Sequence, residues 1–111
     1  MTVWKDAVDL AKDIYDIAKT FPKEELFALG DQLRRAAVSV SANIAEGSGS
    51  DSNKDFRNFL SIAIKSLHEV ISLLAIAEKS LYISEENFRV LHDKGESLVK
   101  KLQALRNSLK L

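Results

Sequence analysis

The chain has 111 residues, 46% of them hydrophobic, which suits one compact domain with a modest core. Sixteen Lys and Arg balance sixteen Asp and Glu, so bulk charge gives no drive towards nucleic acid. The absence of cysteine excludes disulfides and thiolate metal sites, and four glycines with one proline leave little turn material for an all-β fold.

The first predicted helix spans about 2–20. Val3, Ala7, Leu10, Ala11, Ile14, Ile17 and Ala18 share one face, while Lys5, Asp9, Lys12 and Asp16 share the other. Trp4, Val8 and Tyr15 widen the apolar face to nearly half the cylinder. Phe21-Pro22 ends it, because a residue before proline is pushed out of helical geometry. The start, Met1-Thr2-Val3-Trp4-Lys5-Asp6, lacks the apolar stretch of a signal peptide, and no uninterrupted apolar run approaches the roughly 20 residues of a membrane span. A cytoplasmic protein with no membrane partner is expected.

The second helix is expected over 22–46, opened by Pro22 with Glu24 and Glu25 in its first turn. Leu26, Leu29, Leu33, Ala36, Ala37, Val40 and Ile44 form its core stripe, and Gly47 is expected to stop it in a left-handed conformation. Gly47-Ser48-Gly49-Ser50-Asp51 reads as a short polar connection. It lacks the preceding strand and the Gly-Lys pair of a phosphate-binding loop. Ser52-Asn53-Lys54-Asp55 resembles a capping box and opens a third helix over 53–80. Phe56, Leu60, Ala63, Leu67, Val70, Leu74, Ala77 and Leu81 make its seam in steps of four and three. Ser84 with Glu85, Glu86 and Asn87 caps the fourth helix, 85–110. Its seam runs through Phe88, Leu91, Gly95, Leu98, Leu102, Leu105 and Leu109, and Gly95 invites a close approach from a neighbour. Four such helices with short connections predict an all-α, antiparallel up-down-up-down four-helix bundle.

Large aliphatics also fall outside the seams. On the third helix these are Ile62, Leu73 and Ile76; on the second, Phe27, Val38 and Ala45 share a strip away from the core stripe, with Arg34 and Ser41 nearby. Two leftover apolar faces on one small chain predict a subunit interface, hence a homo-oligomer. The four cations from Ser97 onward (Lys100, Lys101, Arg106, Lys110) have no acid among them. They either complement the negative end of the last helix or contact phosphate.

Gln32-Leu33-Arg34-Arg35-Ala36-Ala37-Val38-Ser39, Asn43-Ile44-Ala45-Glu46-Gly47, Phe21-Pro22 and Phe56-x-x-Phe59-Leu60-x-Ile62-Ala63 together resemble a known family, as does Val3-Trp4-Lys5. It comprises the four-helix-bundle proteins encoded in intervening sequences of bacterial large-subunit ribosomal RNA genes, also labelled ribosomal protein S23-like. Ser41 stands where many members have proline. The resemblance implies a ring, typically a homopentamer, and kinship to the accessory protein of diversity-generating retroelements, which is thought to bind nucleic acid and a reverse transcriptase. No enzymatic activity is established for that family, whose function is essentially unassigned. The positions it carries over are Gln32, Arg34, Arg35, Ser39, Asn43 and Glu46.

On a helical wheel Gln32, Arg35, Ser39, Asn43 and Glu46 form one polar strip, with Glu46 able to pair with an arginine and Asn43 with the backbone after Gly47. Arg34 and Arg35, repeated around a ring, would concentrate positive charge. His68 and His92 are the only imidazoles, without the Glu-x-x-His pairs of a carboxylate metal bundle, and no serine has a recognisable triad, so neither metal nor cofactor nor enzyme is expected. Two functions remain open. One is an oligomeric module binding RNA or DNA through Arg34, Arg35, Lys100, Lys101, Arg106 and Lys110. The other is a structural adaptor that recruits a protein without nucleic acid.

Overall fold

In the computed structural model, which describes residues 1–111, the chain is all-helical with no strand. Four long helices, α1 (Thr2–Ala18), α3 (Leu29–Ser48), α4 (Asn53–Lys79) and α5 (Glu85–Ser108), are joined by short connections. The short helix α2 (Lys23–Leu26) lies between the first two. Helix α1 packs on α3 and α5, and α4 packs on α3 and α5, so each long helix has two neighbours. One cluster of 23 buried residues runs through the middle, centred on Ile14, Leu33, Ile44, Leu60, Leu67, Leu74 and Leu102. No buried side-chain polar atom lacks a partner.

The predicted second helix is broken. Phe27 and Ala28 leave helical geometry (Ala28 φ −116°, ψ −94°), separating α2 from α3. Neither glycine nor proline marks the break. It is held by Arg34, whose Nη2 donates to the Leu26 carbonyl at 2.8 Å and also pairs with Asp31. The α2 turn folds back closely enough that a Cβ on Gly30 would stand 3.2 Å from the Glu25 carbonyl oxygen.

Gly47 does not stop α3. The helix runs on through Ser48, and no glycine in the chain has positive φ. Gly47 is required for packing instead: a Cβ there would stand 2.8 Å from Phe59 Cβ and 2.8 Å from Phe56 Cδ1. Gly95 does receive a neighbour, with Ile71 Cγ1 3.1 Å from the position of a Cβ. The predicted caps form, Ser52 Oγ accepting from Asp55 N at 3.1 Å and Ser84 Oγ from Asn87 N at 3.0 Å.

Helix α4 is long and apolar enough to cross a bilayer by composition alone. Its apolar residues are used between α3 and α5, and that double contact buries about half the helix circumference. Leu73 is caught in this wide arc. Expected to face outward, it is 5% exposed, because it lies about 120° from Leu67 on the side covered by α3. Ile62 and Ile76, at about 140° and about 180°, escape the arc and are 45% and 50% exposed.

Two contacts define the ends of the molecule, whose longest dimension is 45 Å. The rings of Phe21 and Tyr82 lie 5.7 Å apart, bringing the connections 19–28 and 80–84 to one end. At the other, Asn53 Nδ2 donates to the Lys110 carbonyl at 2.7 Å, and Arg57 Nη1 donates to the carbonyls of Arg106 (2.8 Å) and Leu109 (3.2 Å). Arg57 thus closes the end of α5, adding a second donor to the Arg106 carbonyl, which also accepts from Leu109 N at 3.3 Å, and reaching the Leu109 carbonyl just beyond the helix.

Candidate interfaces

Two exposed apolar strips flank α3. On one side, Trp4, Val8 and Tyr15 of α1 run beside Val38 and Ala45 of α3, with the Arg34 guanidinium 6.0 Å from the centroid of the Tyr15 ring. On the other, Ile62 and Ile76 of α4 border the seam between α3 and α4. Trp4, Val8 and Tyr15 belong to the broad apolar face of the first helix in sequence. The core uses only the middle of that face, so its flank is left in solvent. Phe27 does not join either strip along a helix; it projects from the break between α2 and α3.

The polar residues of α3 are largely absorbed by the α3–α4 seam. Gln32 Nε2 donates to Glu69 Oε2 at 3.4 Å, and the hydroxyls of Ser39 and Ser66 lie 2.9 Å apart. Asn43 Nδ2 donates to the Ser39 carbonyl at 2.8 Å and to Ser39 Oγ at 3.0 Å. It therefore binds back along its own helix and does not reach the connection after Gly47. Glu46 is exposed, without an ion pair.

The six cations singled out from sequence separate into bound and free. Arg34 is part-buried, its Nη2 committed to the Leu26 carbonyl and to Asp31. Lys101 pairs with Asp6 at 3.0 Å, and Arg106 donates to Ser61 Oγ at 3.3 Å. Arg35, Lys100 and Lys110 are exposed with no ion pair. Arg35 sits on α3 and Lys100 on α5, which do not pack together, so the six do not converge on one patch.

A larger pattern emerges once the fold assigns each charge to an end. The half nearest Phe21 and Tyr82 (residues 11–38 and 66–96) holds eight Lys and Arg against eleven Asp and Glu, net −3. The opposite half (1–10, 39–65 and 97–111) holds eight against five, net +3. A chain neutral in total is therefore a charge dipole along its long axis.

His92 Nδ1 lies 3.1 Å from Asp93 and its Nε2 4.0 Å from Glu96, both exposed contacts. No three His, Asp or Glu side chains converge as metal ligands. The concavity between α1 and α5, about 440 Å³, is walled by Asp6, Asp9, Asp13 and Asp93, with Lys94 bound to Asp13 (2.8 Å) and Lys101 to Asp6.

A protein of unknown function from the S23 ribosomal protein family of Bacteroides thetaiotaomicron VPI-5482, known from its crystal structure, matches this fold with a TM-score of 0.88. The two chains are 26% identical, over 94% of this chain and 97% of that one. No curated protein matches the chain. The family model of the 23S rRNA-intervening sequence protein matches residues 1–104. Four helices, the Gln32-to-Gly47 motif and nearly full-length agreement lead to one conclusion: the chain belongs to the 23S rRNA-intervening sequence protein family.

Proposed function

We propose that the chain is a non-enzymatic, cytoplasmic subunit of a ring-shaped homo-oligomer, a pentamer by its family resemblance, that contacts RNA or DNA through its basic half. The subunit is an up-down-up-down antiparallel bundle. The contacts of Asp13 with Lys94 and Asp6 with Lys101, and of Gln32 with Glu69 and Ser39 with Ser66, support this, since residue numbers rise along one helix as they fall along its neighbour.

The strip on α1 and α3 differs from the strip on α4. Two unlike patches suit a heterologous contact, which closes into a ring when the rotation between subunits allows. Each buried Ile or Trp in such a contact contributes roughly 1.5–3 kcal/mol, enough for several together to support association. The kinship to the accessory protein of diversity-generating retroelements that the family resemblance implies supports the same assembly.

The observation that carries the nucleic-acid role is the charge dipole. If the bundle axes lie along the ring axis, every +3 half falls on the same rim. Free Lys100 and Lys110 lie in that half, as does Arg106, whereas Arg35 lies across the midline near the polar seam. Fluorescence titration of labelled RNA and DNA at several salt concentrations tests the role. Binding that weakens steeply with salt, and further in a Lys100→Ala/Lys110→Ala variant, is expected. No binding at low salt would remove the nucleic-acid role, and unchanged affinity in the variant would remove these residues from it.

A further inference from the structure

The end of the molecule opposite the basic half carries a residue whose side chain packs against nothing in the chain. Leu81 follows the last turn of α4 with φ 64°, the left-handed region, and is the chain's only non-glycine residue there. Its backbone closes α4 in a Schellman arrangement: Tyr82 N donates to the Ala77 carbonyl at 2.9 Å and Leu81 N to that of Glu78 at 3.0 Å. Glycine occupies this position at no steric cost, and leucine is strained in it. Packing does not compensate the strain, because the Leu81 side chain is 88% exposed.

The surroundings specify what would cover it. Phe27, 82% exposed, projects from the connection at the same end. Between Pro22 and Ala28 and between Glu78 and Glu86, five carboxylates stand against two lysines. At this end an open groove of about 560 Å³ runs between α4 and α5, with half-buried Phe88 in its wall; Glu78, Glu85 and Asp93 line it together with Lys79, Arg89 and His92, Arg89 pairing with Glu85 at 3.3 Å.

We propose that this acidic end is a docking tip for a basic amphipathic segment of another protein, with Leu81 as the apolar anchor and Glu78 and Asp93 as carboxylate partners. Phosphate is repelled by this charge. A second copy offering its basic half would repeat the contact end to end without closing, which leads to filaments. The proposal goes beyond the nucleic-acid role and does not depend on it, since the tip and the basic half share no residue.

The test uses a fluorescein-labelled 18-residue peptide of leucine and lysine in amphipathic helical order, with a leucine–glutamate peptide as control. Fluorescence polarisation should show micromolar binding of the lysine peptide to the full chain and none of the control. Leu81→Gly should weaken binding at least tenfold while leaving the melting temperature equal or higher, because left-handed strain is relieved. Glu78→Gln/Asp93→Asn should weaken it as well and flatten its salt dependence. Absence of binding, or equal affinity in Leu81→Gly, overturns the proposal. So does loss of binding on Ile76→Asp with Leu81→Gly unaffected, which assigns the peptide to the α4 strip. A mass that rises with concentration and collapses in Leu81→Gly without peptide assigns the tip to a second copy; loss of RNA binding in Leu81→Gly assigns it to nucleic acid. Either overturns it.

Discussion

Gly47 and Phe59 meet so closely that α3 and α4 can cross there only while position 47 lacks a side chain. A Cβ would stand 2.8 Å from Phe59 Cβ, an atom fixed to the backbone of α4 and unable to swing away. Gly47→Ala is expected to destabilise by about 1–3 kcal/mol through forced separation, despite the ~1 kcal/mol that alanine contributes to helix propensity. Gly95→Ala is the contrast. Its close neighbours, Cγ1 and Cδ1 of Ile71 at 3.1 and 3.2 Å, belong to a side chain with rotamer freedom. Clash and propensity should nearly cancel, leaving stability within about 1 kcal/mol of the parent. Urea denaturation of both variants decides between these outcomes.

Leu73 and Ile76 are both aliphatic residues of α4 outside the heptad seam, yet only Ile76 meets solvent. Leu73→Asp is expected to unfold much of the chain, since it places an unpaired carboxylate in the core. Ile76→Asp should retain far-UV helicity and release any assembly that uses the α4 strip. Circular dichroism read beside light scattering separates loss of fold from loss of contact.

Arg34 and Arg35 are adjacent in sequence and have opposite duties. Arg34→Met leaves the Leu26 carbonyl and Asp31 without their donor and should cost about 1–3 kcal/mol. Arg35→Ala, at an exposed side chain without an ion pair, should change stability by less than about 0.5 kcal/mol. Thermal melts of the two variants test this directly.

Tyr82 titrates above its ordinary value of 10.0, because partial burial disfavours the phenolate and the carboxylates of Glu25 and Glu24 oppose it. A pKa raised by folding stabilises the native state below 10 and is lost as pH rises through the folded value. Stability should therefore fall as pH climbs above 10, and Tyr82→Phe should flatten that fall. A denaturation series from pH 8 to 11 reads the difference.

The four long helices were legible because each carries a continuous stripe at helical spacing, and the Ser52 and Ser84 caps marked two starts correctly. The break at Phe27 and Ala28 was not, since it is imposed by Arg34 reaching back eight residues. Leu73 was misplaced because a periodicity shows the centre of a buried arc and not its width, which depends on how many neighbours the helix has. Gly47 looked like a helix stop, whereas its role is set by Phe56 and Phe59, distant until the chain folds. The polar strip was visible on the wheel. Its partners Ser66 and Glu69 were not. Nor was the separation of charge, because the two basic runs join only when the start of α4 meets the end of α5.

In the proposed ring, sister subunits cover the strips bearing Trp4, Val38, Ile62 and Ile76. Light scattering across a dilution series measures it most directly. A mass several times the 12.4 kDa of one chain is expected, falling to that of a single chain in Ile62→Asp/Ile76→Asp with helicity retained. A parent protein that stays at 12.4 kDa at high micromolar concentration would contradict it.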